Sequence, residues 1–305
     1  MPVVPHRDWI PPTPYDLRRS LLVLRRGPYD PAFRAARDGL LWRATRTPLG
    51  PATLRLAAGD PAVGCTAWGP GADWALENLP ALLGADDDPA AFVPHHPLVA
   101  ESLRRHRGVR LARTGLVFEA LVPSILEQRV TTEEAYRAWR LLLRRFGEPA
   151  PGPGAELDMF VPPEPRTYRL IPSWEWHLAG VDPKRSAAVV RAARVARRME
   201  EAATMELPRA LARLQAVPGI GPWTAAETLQ RSNGDPDAVT VGDLHLPGTV
   251  GYALAGERDA DDDRMLELLA PYAGQRHRAA RLVLLAGVAP PRRAPRQRHA
   301  RIARL

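Results

Sequence analysis

Residues 214–230 read LQAVPGIGPWTAAETLQ, two helical segments broken by a proline- and glycine-rich turn. Pro218 stops the first segment, and Gly219 and Gly221 permit backbone angles closed to other residues. Ile220 between them can turn inward as an apolar plug. Pro222 and Trp223 open the second helix, whose first N–H groups have no partner within it. With no side chains on the glycines, a phosphate can approach those N–H groups and the positive end of the helix dipole. Such a turn grips a nucleic-acid backbone without reading bases, because phosphate contacts position and base contacts specify. The plainer alternative is a helix–turn–helix corner with no ligand. Shortly after the turn, VGDLHL carries Asp243; taken alone, it reads first as a helix cap or loop acid.

The elements around this turn are also helical. LVFEALVPSILEQRV (116–130) repeats apolar residues at helical spacing, with a kink expected at Pro123. TTEEAYRAWRLLLRRFG (131–147) opens with Thr131 three before Glu134, a capping box, and closes at Gly147. DPKRSAAVVRAARVARRMEEA (182–202) starts with an Asp cap and a first-turn proline. GEPAPGPGAEL (147–157) reads as a loop. Upstream, LLVLRR, GLLWRATRT and ATLRLAAG within 17–92 read as strands of a small sheet, with DWALENLPALLG (73–84) as a helix packed on it. Residues 1–16 are proline-rich and expected to be extended, and GADDDPAAFVPHHP (84–97) reads as a boundary. The end, APPRRAPRQRHARIARL (289–305), is basic, proline-broken and expected to be loosely ordered.

Composition bounds the partners. A 305-residue chain is long for one core. Its single cysteine, Cys65, excludes a disulfide framework, a four-thiolate zinc site and a cysteine-held iron–sulfur cluster. The eight histidines are scattered, so no metal is expected on side chains and no cofactor is implied. The net charge of +8 suits a polyanion, most simply nucleic acid, or else a basic surface without a partner. No apolar run approaches the roughly 20 residues that span a bilayer. The N-terminal stretch lacks the layout of a secretory leader, so no membrane partner and a cytoplasmic location (nucleoid-associated if bacterial) are expected.

The hairpin followed by VTVGDLHLP resembles the helix–hairpin–helix DNA glycosylase superfamily, 3-methyladenine DNA glycosylase II type. The resemblance runs well over 97–287 and loosely over 14–96, where PYDL (14–17) is similar to the opening of the family's N-terminal domain. It implies a mainly α fold. An N-terminal α+β domain with an antiparallel sheet (1–95) would precede a helical core (96–236) carrying the hairpin (207–230). A helical segment (237–288) would bear the catalytic aspartate and pack with the 97–123 region, ahead of a basic tail (289–305). The implied activity is release of damaged bases, alkylated purines first, from double-stranded DNA in base excision repair, by a monomer.

The resemblance also implies roles for particular residues. Asp243 falls at the catalytic aspartate. Gly219, Ile220, Gly221 and Thr224 fall at the DNA-gripping hairpin, Gln128 beside the DNA, and Arg129 at the wedge that fills the gap left by a flipped base, where an apolar residue is usual. An exposed arginine near phosphates is the alternative for Arg129. Backbone carbonyls of Gln215, Val217 and Ile220 fall where the family can hold a monovalent cation. Members that also cut the strand carry a lysine at the position of Trp223; the only lysine here is Lys184, on an earlier helix, which implies a monofunctional enzyme. Trp223, Glu227 and Leu244 fall in the base pocket, with Val23 and Leu284 as further walls. Only Trp223 of these is aromatic, against the ring cluster that holds alkylated bases in the family. Tyr136, Trp139, Trp174 and Trp176 are candidate replacement rings, and the last two lie in a stretch that reads as nonhelical. Glu227 could face a cationic purine or pair with an arginine. A noncatalytic DNA-binding protein that has lost a competent pocket is the alternative to the enzyme.

Overall fold

The computed structural model describes residues 4–12 and 14–291; the tail expected to be loosely ordered lies outside the described residues from 292 onward. The N-terminal unit is a five-stranded antiparallel sheet in the order β1-β5-β4-β3-β2. Its strands are β1 (His6–Trp9), β2 (Phe33–Ala35), β3 (Leu41–Thr47), β4 (Gly50–Ala58) and β5 (Val63–Trp68), with α1 (Leu17–Leu21) between β1 and β2. Helices α2 (Ala72–Glu77) and α3 (Leu79–Leu82) follow, and Leu41, Leu54, Leu56, Leu76 and Leu79 share a core with Leu17 and Leu21 of α1. The stretch LLVLRR is not a strand. Asp16 accepts the N–H of Arg19 at 2.8 Å and starts a helix that tightens into a 3₁₀ turn at Leu22–Leu24. The cap decided the conformation where the apolar run suggested β.

The helices then run α4 (Pro97–Arg105), α5 (Val117–Leu126) and α6 (Thr132–Phe146). Thr131 and Glu134 form the expected capping box at the start of α6. The loop read over 147–157 is more ordered than its composition suggests. It holds a two-stranded ribbon, β6 (Glu148–Pro149) with β7 (Phe160–Val161), flanking α7 (Pro153–Glu156). Next come α8 (Pro165–Leu170), α9 (Ser173–Leu178), α10 (Pro183–Arg194) and α11 (Ala196–Glu200). The helix expected over 182–202 therefore breaks at Val195, and the SWEWHL stretch is helical. Trp176 on α9 is buried, stacked near Tyr168, while Trp174 faces solvent. The hairpin is α12 (Leu207–Gln215) and α13 (Pro222–Ser232), and α14 (Leu246–Ala255), α15 (Asp262–Leu269) and α16 (Arg276–Ala286) complete the chain.

Two helical cores result. One joins α5, α6 and α10 to the hairpin through residues including Leu121, Ile125, Val189, Leu214, Ile220 and Leu229. The other joins Phe92 and Val99 to α14–α16 through Val250, Met265, Leu269 and Val283. Helix α4 therefore packs with the C-terminal helices, and α5 with the hairpin. Among the described residues no helix is long and apolar enough to cross a membrane.

The sheet is fastened to the hairpin core by buried charge. Glu119 on α5 accepts from Arg43 Nη2 at 2.7 Å, from Thr45 Oγ1 and from the Arg46 N–H, both at 2.8 Å. Arg26 pairs with Glu127 just past the end of α5 at 2.7 Å. Asp30 accepts from the N–H groups of Arg26 and Ala32 and from Trp139 Nε1, and burial still pushes its carboxyl up to about 6. Removing one partner of such a cluster strands the other in a low-dielectric site. Glu119→Ala is expected to lower the unfolding free energy by about 3 kcal/mol, read by urea denaturation; a loss below about 1 kcal/mol, the scale of a surface pair, would show that the cluster does not fasten the sheet.

Candidate functional site

The turn between α12 and α13 is built for close approach. Gly219 has φ of +97°, and a Cβ there would lie 2.9 Å from the Cβ of Ala188 on α10. Both the backbone angle and the neighbouring helix require glycine. Ile220 is the buried plug, and its N–H closes the turn onto the Val217 carbonyl at 3.0 Å. That N–H is therefore spent within the turn, and the same carbonyl belongs to the set expected to hold a cation. Gly221 differs from expectation: its φ of −94° with ψ of −179° is ordinary extended backbone, so no conformational need explains the glycine. A Cβ there would meet nothing within 4 Å. What glycine leaves at the tip of the hairpin is open room at the start of α13.

Thr224 is 2% exposed, which corrects its expected role as a DNA contact. Its Oγ1 accepts from Gln128 Nε2 at 2.8 Å, and the same amide donates to the Gly219 carbonyl at 2.9 Å. Gln128 thus clamps the end of α5 to both arms of the turn. Arg129 follows it, exposed, with φ of +53°. Arg191 on α10 donates to the Pro218 carbonyl at 2.9 Å.

Trp223 leads from the hairpin to the acid. Its Nε1–H donates to Asp243 Oδ2 at 2.9 Å. Asp243 Oδ1 accepts the N–H groups of His245 and Leu246, each at 2.8 Å, at the start of α14. The preceding Gly242, at φ of +86°, donates its N–H to the Asp262 carboxylate on α15. The bonds from His245 and Leu246 bear out the helix-cap reading of Asp243. Two backbone donors fix Oδ1, and the indole orients Oδ2, which keeps a lone pair for a further contact. A carboxylate so held can stabilise adjacent positive charge or orient a water.

Apart from Trp223, the proposed pocket walls are polar or aliphatic. Glu227, one turn after Trp223, pairs with Arg231 Nη1 at 2.7 Å, both side chains largely buried. Arg231 also donates through Nε to the Val23 carbonyl at 3.1 Å, which ties α13 to the turn after α1. The arginine alternative for Glu227 is the one the structure shows. Arg231 was missed from the sequence, although its place four residues after Glu227 on a helix is a pairing signal. Leu244 is 86% exposed and Leu284 56% exposed. Trp139 is a core residue bonded to Asp30, and Tyr136 packs its ring against Gly27. Lys184 lies exposed in the first turn of α10. Among the described residues no cluster of histidine, cysteine or acids could hold a metal ion; His95 and His96 instead gather on the Tyr272 hydroxyl.

No family model matches the chain. A Mycobacterium tuberculosis protein described as a probable bifunctional transcriptional activator/DNA repair enzyme AlkA is 31% identical over 174 residues, 56% of this chain and 32% of that protein. A Bacillus subtilis DNA-3-methyladenine glycosylase is 28% identical over 182 residues, 58% of this chain and 59% of its own length. The chain thus spans about a third to three fifths of these relatives. A solved 3-methyladenine DNA-glycosylase from Archaeoglobus fulgidus superposes with a TM-score of 0.73 over 92% of this chain and 97% of that one, at 17% identity, a likeness of fold. With its antiparallel sheet, its two helical cores and the Pro-Gly-Ile-Gly hairpin ahead of Asp243, the chain shares the fold of that solved glycosylase.

Proposed function

We propose that the protein is a monofunctional DNA glycosylase that hydrolyses the N-glycosidic bond of a damaged purine in double-stranded DNA. The observation that carries this reading is the hydrogen bond from Trp223 to Asp243, which holds a carboxylate against the DNA-gripping helix. In the reaction the C1′–N bond breaks and its electron pair leaves with the base. Positive charge develops on the deoxyribose, an oxocarbenium-like state, and Asp243 stabilises it. Water then adds to C1′, and its proton passes to the carboxylate or to solvent. The base must leave the stack for this to happen, while the hairpin keeps its grip on the phosphates. The relatives named for 3-methyladenine make alkylated purines the first class to test. Trp223 stands where a Schiff-base lysine would be needed for strand cleavage, which supports release without lyase chemistry. The carbonyls of Gln215, Val217 and Ile220 fit a monovalent cation against the gripped phosphate only if Val217 shares its oxygen with the Ile220 N–H.

The paired Glu227 and the exposed Leu244 and Leu284 favour a second reading, a DNA-binding protein without a competent pocket. Base release from methylated duplex DNA separates the two, with liberated bases identified by mass and abasic sites cleaved by alkali. Release is expected from the wild type, and strand cleavage only after alkali. Asp243→Asn is expected to slow release on the order of 10²-fold or more; wild-type rates in this variant would remove Asp243 from the chemistry. Trp223→Phe keeps the ring and loses the N–H, so single-turnover release is expected to fall about tenfold, while an unchanged rate would make the indole bond incidental. Gly221→Asp suits the backbone and the open space at the tip. It places a negative charge where a phosphate would sit, and is expected to weaken duplex binding roughly tenfold or more without lowering Tm. Wild-type affinity itself should fall as salt rises, and unaltered binding by Gly221→Asp would end the hairpin's proposed role.

A further inference from the structure

The segment that carries Asp243 runs between the two helical cores, and its backbone is tied to each in turn. Gln230 on α13 donates through Nε2 to the Ala238 carbonyl at 2.7 Å and to Thr240 Oγ1 at 3.1 Å. Two residues later the Gly242 N–H meets both carboxylate oxygens of Asp262, each at 3.0 Å, in the first turn of α15. Asp243 then returns to α13 through the Trp223 indole and starts α14 with its other oxygen. Gly242 has φ of +86°, and a Cβ there would meet nothing within 4 Å. Packing therefore does not choose its backbone angles, and glycine has the widest choice of any residue. Asp262 is not needed as the cap of its own helix, because Asp261 already accepts the Arg264 N–H at 2.9 Å. Its carboxylate reaches instead to a residue 20 positions earlier, from a first turn where negative charge is favoured.

We propose that Asp262 is a positioning residue for the hydrolysis: by holding the Gly242 N–H it fixes the left-handed turn that aims the Asp243 carboxylate at the charged sugar. The inference rests on the reading that Asp243 stabilises an oxocarbenium-like state. A carboxylate serves that state best when it is placed before the charge forms, since reorganising it during the reaction would cancel the gain. The cap bonds and the indole fix the Asp243 side chain relative to α14 and α13. The direction from which the main chain enters is set by the peptide before it. Anchoring that peptide on α15, whose Met265 and Leu269 are buried in the C-terminal core, ties the carboxylate to a rigid element. Asp262 acts through Gly242 and not on the sugar itself, so its removal should weaken recognition of the charged state and spare the grip on the duplex.

The test uses the full chain and two duplexes that need no chemistry to be bound. One carries a pyrrolidine abasic analogue, cationic where the sugar charge develops, and the other the neutral tetrahydrofuran analogue. The quantity read is the ratio of the two Kd values at one salt concentration. Because the ratio is taken within one variant, a loss of folded protein lowers both affinities alike and leaves it unmoved. The wild type is expected to prefer the cationic duplex by about 10²-fold, as an enzyme prefers a transition-state mimic. Asp262→Ala is expected to cut this preference about tenfold, with tetrahydrofuran binding close to wild type. Asp262→Asn keeps an acceptor for the Gly242 N–H and is expected to retain most of the preference. Asp263→Ala, which removes the next acid of the same turn, is expected to leave it unchanged. An undiminished preference in Asp262→Ala would overturn the inference. So would an equal loss in Asp262→Asn or Asp263→Ala, because a diffuse field of acids behaves that way. If Asp243→Asn loses the preference and Asp262→Ala keeps it, only the inference falls. If Asp243→Asn keeps it, or the wild type has none, the reading of Asp243 falls and the inference with it.

Discussion

Helix α13 has to satisfy three neighbours at once, and the rest of the molecule is arranged around that constraint. Its first turn forms one arm of the hairpin. Trp223 reaches across to Asp243 in the C-terminal helical core, Thr224 takes the amide of Gln128 from the end of α5, and Arg231 bonds the Val23 carbonyl in the N-terminal unit. Its opposite face is a packed seam of Ala225, Ala226 and Leu229. Small residues there let α5 come close, and close approach brings Gln128 within hydrogen-bonding distance of the turn. A shift of this helix would move the hairpin turn, the Asp243 carboxylate and the contact with Val23 together.

This arrangement explains why so much polar structure is buried away from the acid. Glu119, Arg43, Thr45, Arg26, Glu127 and Asp30 contribute no atoms to the site, yet they fasten the sheet to α5 and to the residues that follow it. Charge in a low-dielectric interior is costly unless every partner is in place. The cluster therefore favours one relative placement of sheet and helices over sliding alternatives. That placement is what lets Val23 stand at the wall beside α13.

The pocket departs from an aromatic cage in a consistent direction. Glu227 is neutralised by Arg231, and the rings that might have replaced the missing cluster serve elsewhere: Trp139 and Trp176 in the core, Tyr136 against Gly27. Of the residues expected to wall the pocket, Trp223 is thus the one aromatic, beside exposed leucines at 244 and 284.

Much of this was legible in local chemistry. The capping box at Thr131, the Asp182 cap, the proline and glycine breaks of the hairpin and the inward Ile220 each depend on neighbours within a few residues. Short-range rules are enough for them. Taken alone, Asp243 reads as a cap, which the N–H groups of His245 and Leu246 make it; its proposed role in the reaction comes from the resemblance and not from any local rule. Other features were decided only by tertiary structure. SWEWHL became a helix as Trp176 was drawn into the core, whereas the helix at the start of LLVLRR follows from a local cap, Asp16 on the Arg19 N–H. Thr224 turned from a surface contact into a buried acceptor once Gln128 arrived from 96 residues away. Arg129 took a positive φ between anchors on both sides, while the Glu227–Arg231 pair lies within one helical turn of sequence. These outcomes depend on which distant groups meet in low dielectric, where a polar atom must find a partner or leave, and no window of sequence contains that information.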